Sequence, residues 1–374
     1  MTTAAPIGAR LKALREKQNL SQEDLAQRFG FKDRQTVSAI ETGERRLSAE
    51  ELVRAIEIFD VSLDYFTDPF LLVGEGKFSW RQTRVVGRAL DGYELDAGRL
   101  IAAFRELAPQ VGETAPLLRH ALGLSKDSRF EEASEVGERF AAELELGDVP
   151  ATRLAQVMEQ ALDILVLMVD PIEGVSGAAC RLPELDVVLI NRREAPGRRH
   201  FDLAHELFHI LTWQAMPPEH VEDVEPKRRS RVEQLADNFA SALLMPTAVL
   251  DRFGDWSELA VARKPDGLIV QLNEVADELQ VTSSALRWRL VALDRLDRAV
   301  ASRLPEAKLR NNGRGRAKAE PLVPLFSKRF AEVLARAIDE GRVAVRRASY
   351  LLGLSIDDLA DVFTAHGVET PFDL

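Results

Sequence analysis

The run Arg199-His200-Phe201-Asp202-Leu203-Ala204-His205-Glu206-Leu207-Phe208-His209-Ile210-Leu211 sets the pattern H-E-x-x-H inside an otherwise apolar, helix-forming stretch. A helix turns once every 3.6 residues, so His205 and His209 project from one face and can offer two imidazole nitrogens to a single metal ion. Glu206 stands beside the first of them, where it can take a proton from water that a metal has acidified. That is the chemistry of a zinc hydrolase. Leu203, Phe208, Ile210 and Leu211 cover much of the remaining surface, which calls for a buried helix whose polar stripe faces a cleft.

Two histidines leave a zinc ion short of ligands. Downstream, Val232 to Pro246 reads as a second helix in which Leu235, Phe239 and Leu243 recur every four residues as a core stripe. Glu233 and Asp237 share another face. A solvated acidic face is the competing reading of such a pair, but the upstream H-E-x-x-H favours a metal. One carboxylate supplies the third ligand, water the fourth position, and the other carboxylate orients a ligand histidine through its second ring nitrogen. Glu233 is assigned to the metal and Asp237 to the supporting role.

Together, R-x-F-x-L-A-H-E-L-x-H and E-x-x-A-D-x-F-A-x-x-L-L-M-P resemble the ImmA/IrrE family of bacterial metallopeptidases over roughly residues 155 to 250. The resemblance implies a gluzincin-like active site that holds zinc, with manganese as the alternative ion, and cleavage of a helix-turn-helix repressor as the activity. It also implies a small sheet beside the metal helix, with an edge strand that aligns an extended peptide. Where the family often has glycine this chain has Phe208, expected to narrow the cleft while leaving every ligand intact.

Composition narrows the setting. At 374 residues the chain has room for two or three domains, and its single cysteine, Cys180, excludes an internal disulfide framework and fits a reducing cytoplasm, most simply as a small buried residue. Met1 to Arg15 has early charges and no long apolar core, so no signal peptide is read there. The most apolar run, Ile164 to Val169, is far too short to span a bilayer, and no membrane partner is expected. A net charge of −11 argues against coating nucleic acid along the whole length, though not against one local reading head.

Residues 7 to 66 supply that head. Apolar positions recur at helical spacing from Ile7 to Leu14; Ser21 then caps a second helix with Asp24 at the capping-box position, and Gly30 ends it. Arg34 to Gly43 follows, with Val37 and Ile40 facing inward. S-Q-E-D-L-A with V-S-x-I-E-x-G resembles the Xre family of helix-turn-helix proteins. By position in that motif, Gln22 contacts a phosphate, Arg34, Gln35 and Ser38 enter the major groove, and Arg45 and Arg46 reach the backbone just after the recognition helix. The partner implied is a double-stranded DNA operator. The head is nearly balanced in charge, so dimerisation would offset weak binding by one module, and a homodimer is expected.

The rest of the chain carries less signal. Residues 1–68 are read as the DNA-binding domain, 69–79 as a linker and 80–150 as a helical scaffold. Residues 151–300 form the peptidase domain, 301–320 a second linker and 321–374 a helical C-terminal region. The fold class is mainly α with a small β-sheet (α+β). Ile164 to Val169 and Val187 to Asn191 suit strands, and Asn191 reads as a turn-forming cap. His220 and the run Lys227-Arg228-Arg229-Ser230-Arg231 read as exposed loop, and Val275 to Leu286 resembles a second helix-turn-helix in outline. The function expected is a transcriptional regulator whose zinc endopeptidase cleaves a repressor or itself after a stress signal. The alternative is a transcription factor or antitoxin whose peptidase-like domain senses or binds without turnover.

Overall fold

Five short helices build the N-terminal head: α1 (Ala4–Lys17), α2 (Gln22–Phe29), α3 (Arg34–Glu41), α4 (Ala49–Phe59) and α5 (Leu63–Thr67). The structure, a computed structural model, describes residues 4–82, 85, 87–113, 118–223, 230–254, 256, 265–310 and 322–373. Local chemistry sets the helix ends. Ser21 and Asp24 form a capping box that starts α2, and Gly30, at a φ of 73°, closes it in the left-handed conformation that glycine adopts without strain. Leu11, Leu25, Phe29, Val37, Ile40 and Phe66 meet in a core belonging to the head alone.

The body is organised by one mixed sheet. Along the chain come β1 (Lys77–Gln82), α6 (Gly87–Gln110), α7 (Phe130–Glu143), α8 (Pro150–Ala161), β2 (Ile164–Val169), β3 (Val175–Arg181), β4 (Asp186–Asn191), α9 (Pro196–Thr212), β5 (Val221–Asp223) and α10 (Arg231–Leu244). The strand order is β2-β4-β3-β1-β5. β2 and β4 run parallel, β3 is antiparallel to both its neighbours, and β5 pairs parallel with β1. The chain is thus mainly helical with a small sheet, the α+β class its sequence indicates. Among the described residues no helix is long and apolar enough to cross a membrane.

Successive side chains on a strand point to opposite faces, and both faces of this sheet are covered. Val166, Ala179, Val188 and Ile190 pack with Leu203 and Leu207 of α9 and Phe239 of α10. Leu165, Leu167, Ala178, Cys180, Val187 and Leu189 pack on the other side with Ile101 and Phe104 of α6 and with Phe330 and Leu334 of the C-terminal helix Lys328–Asp339. The result is a three-layer body.

Four expectations change here. Residues 77–79, read as the end of a linker, and 80–82, read as helical, form β1, because Phe78 and Trp80 alternate with Ser79 and Arg81 at the strand period. Val175–Arg181, rich in glycine and alanine and without a strand signal in its sequence, forms β3; a Cβ on Gly177 would meet Leu189 O of the neighbouring β4 at 2.9 Å and stand 3.7 Å from Glu206 Cγ of α9. The linker is also anchored: Glu75 accepts from Arg10 of α1 (2.9 Å) and pairs with Arg105 of α6. The second linker, read over 301–320, begins later: residues 301–303 complete the helix Arg298–Arg303, and Ala301, Leu304 and Leu309 are buried in the core, while 311–320 lie outside the described residues.

If α6 and the C-terminal helices belong to the same cooperative unit as the sheet, Phe330→Ala should cost about 3–5 kcal/mol. Hydrogen exchange should then accelerate in β2 and β4 as well as in the helix itself. Unchanged protection in those strands would mean the helix is an appendage.

Candidate metal centre

Pro196 at the first turn starts α9, and Leu203, Leu207, Ile210 and Leu211 draw it into the core, taking the polar stripe with them. His205, Glu206 and His209 have no exposed surface. α10 begins at Ser230, whose hydroxyl accepts from the Glu233 amide, and this sets Glu233 on the turn facing α9. His205 Nε2 and His209 Nε2 are 3.1 Å apart, with Glu233 Oε2 3.2 Å from the first and Glu233 Oε1 3.1 Å from the second. Ligands at about 2.0–2.1 Å from a tetrahedral zinc stand about 3.3 Å from one another, so the donor set fits such an ion with little rearrangement. Asp237 Oδ1 lies 3.1 Å from His205 Nδ1; the carboxylate accepts that N–H and turns Nε2 toward the triad.

The electrostatics also fit a cation. Arg81, buried on β1, feels Asp202, Asp237, Glu206 and Glu233 together. One guanidinium faces four carboxylates. Its Nε is 3.2 Å from Asp202 Oδ1 and its Nη1 3.7 Å from Glu233 Oε2. Burial raises the Glu206 carboxyl above the usual range, opposed by His209, His205 and Arg81. Burial also disfavours the charge on Glu233, yet His205 and His209 hold it well below the carboxylate range. Burial and Arg81 push His205 down, but Glu233 and Asp237 outweigh them and lift it to about 9.

Arg81 and Asp202 were not singled out in the sequence. Asp202 precedes Glu206 by four residues and so shares its face, a signal that was there to read; Arg81 lies more than a hundred residues away and shows only through strand pairing. Phe208 does not narrow the cleft: it is fully buried against Phe239, on the core side of α9. Asn191 caps its turn, donating to Val175 O and accepting from the Arg193 amide. His220 is about half exposed and pairs with Glu94 at 3.3 Å. Lys227 to Arg229 lie outside the described residues.

In the head, Arg34, Gln35 and Arg46 are exposed and Ser38 is half-buried along α3. Two of the expected phosphate contacts are engaged internally. Gln22 Nε2 donates to Glu41, completing a carboxylate already paired with the buried Arg15, and Arg45 forks onto Glu51 at 2.7 and 3.0 Å. The segment with a second helix-turn-helix outline ends in the helix Ser283–Ala292, but its Arg287 and Arg289 are buried and paired inward, leaving no basic reading face.

Residues 11–66 match the helix-turn-helix family, and residues 161–291 match the IrrE N-terminal-like domain, a peptidase family. The chain joins an Xre-like helix-turn-helix domain to an IrrE-like domain. No curated protein and no solved structure matches it. The IrrE-like match takes in α9 and α10 and therefore the whole His205–His209–Glu233 cluster, while Arg81 comes from outside it.

If the Asp237–His205 hydrogen bond orients a zinc ligand, Asp237→Ala should weaken zinc binding by about 10–100-fold, measured by competition with a chromophoric chelator. His205→Ala and Glu233→Ala should abolish stoichiometric binding. Wild-type affinity in the Asp237 variant would remove the supporting role.

Proposed function

We propose that this chain is a DNA-binding transcriptional regulator whose IrrE-like domain is a zinc-dependent endopeptidase, with manganese as the alternative ion. Its substrate is a helix-turn-helix repressor or the chain itself, and it acts in the cytoplasm, as a homodimer, after a stress signal. The observation that carries the reading is Glu206. Its two carboxylate oxygens are buried without a hydrogen-bond partner beside the His205–His209–Glu233 cluster, and a buried polar group left unsatisfied requires a reason. A metal held only for structure would have no use for it.

Zinc in this site would supply Lewis-acid polarisation of a substrate carbonyl and acidify water. His205, His209 and Glu233 would hold it, and Asp237 keeps His205 turned toward it. Glu206 takes the proton from the attacking water and returns it to the departing amine. Its raised carboxyl suits both halves of that transfer. In the head, Arg34, Gln35 and Ser38 read bases in the major groove and Arg46 meets the backbone. Gln22 and Arg45 join them once their internal pairs exchange for phosphate.

The complete burial of His205, Glu206 and His209 favours a second reading, in which the domain senses or binds without turnover. Glu206→Gln separates the two. Incubated with zinc and with repressors encoded beside it, the wild type should give fragments by mass spectrometry that the variant and chelated protein do not, while zinc and operator binding persist in the variant. No fragments with either ion would leave the sensor reading.

A further inference from the structure

A centre that hydrolyses a polypeptide has to meet one, yet His205, Glu206 and His209 are sealed and Glu233 keeps only 7% of its surface. The strand lying over Glu206 is β3: a Cβ on Gly177 would stand 3.7 Å from Glu206 Cγ. An extended peptide could be led to that point by pairing along the edge of β3, which aligns its backbone and turns alternate side chains toward α9. That edge is taken. β1 runs antiparallel along it, with Ser79 opposite Ala179 and Arg81 opposite Gly177. Arg81 therefore points to the α9 side, onto Asp202 and Glu233, and the buried Ser79 Oγ has no hydrogen-bond partner.

We propose that β1 is an internal occupant of the peptidase cleft: it holds the strand position a substrate needs beside β3, with Arg81 over the His205–His209–Glu233 centre, and it must move for a polypeptide to enter. The inference rests on the peptidase reading given above. The closed form is the resting one, since Phe78 and Trp80 stack on each other in the opposite layer and Trp80 Nε1 donates to Glu94. Among the described residues the outer side of β1 is paired with β5 from Trp80 to Gln82, and Lys77 to Ser79 have no strand partner on that side. The inner end leads to the DNA-reading head: Glu75, two residues before β1, is gripped by Arg10 of α1 and Arg105 of α6. Glu75 thus ties the base of the strand that covers the centre to the head and to α6 at once.

The test locks the strand. Antiparallel partners have Cα spacings of about 4.5–5.5 Å, within the range a disulfide spans, so Ser79→Cys with Ala179→Cys, in a Cys180→Ala background, ties β1 to β3. In zinc-loaded protein, oxidation should slow transfer of the ion to a chromophoric chelator at least about tenfold, and reduction should restore it. Equal rates in the oxidised and reduced forms would overturn the proposal. Wild-type protein gives a second measure that needs neither variant nor zinc. The amides of Ser79 to Gln82 should exchange at least about tenfold faster than those of β2 and β4, and uniform protection across the sheet would overturn the proposal equally. Cleavage by the reduced form alone supports both readings. Gated zinc release with no cleavage would remove the peptidase reading and leave the gate.

Discussion

Two histidines and a glutamate on α9 lie at zero exposure, and removing such groups from water is costly unless partners replace it. Leu203, Leu207, Ile210 and Leu211 drive the burial, and the neighbouring elements answer it. Glu233 on α10 bridges both imidazoles, Asp237 takes the far nitrogen of His205, and Asp202 on α9 takes Arg81 from β1. Asp202 also meets Arg198 at 3.8 Å, so the carboxylates around the centre answer Arg81, Arg198 and the two imidazoles together. The spacing of the two imidazoles and Glu233 is what fits an ion there.

The sheet exists to hold that helix close. At Gly177 on β3 a side chain would meet the backbone oxygen of Leu189 on the neighbouring β4 and would stand in contact with Glu206 of α9. The opposite face is closed by α6 and by helices more than two hundred residues further on, so the regions flanking the IrrE-like match are structural parts of the body. The head keeps its own small core, and among its contacts with the body are the Arg10–Glu75–Arg105 cluster, the bond from Arg10 to Leu71 O and an Arg347–Asp68 pair at 3.0 Å. The helix-turn-helix head and the candidate metal centre are therefore joined by a short, packed segment that leads straight into β1.

Features written into a continuous stretch were legible in the sequence. The H-E-x-x-H helix, the Glu233 and Asp237 face, the Ser21–Asp24 capping box and the inward Val37 and Ile40 each depend on residues within one or two turns of one another. What was not legible depends on distant pairing. β3 carries glycine and alanine because a helix packs on it, so it lacks the branched residues that announce a strand. Arg81 belongs to the site only because β1 pairs with β3. Phe208 was placed in the cleft by comparison with a family glycine, but its position on α9 points it to Phe239. Gln22 and Arg45 carry the right chemistry for phosphate, and only the fold shows that Glu41 and Glu51 already hold them.

X-ray absorption at the zinc edge of the metal-loaded protein addresses the centre most directly, because it reads the ligands without requiring turnover. The expected spectrum has low-coordinate zinc with two imidazole nitrogens and carboxylate oxygen at about 2.0–2.2 Å. His209→Ala, which removes one of the three ligands, should lose the bound-zinc signal, as should His205→Ala and Glu233→Ala. A spectrum of six oxygens, or one containing sulfur from Cys180, would place the ion elsewhere and contradict the assignment of His205, His209 and Glu233.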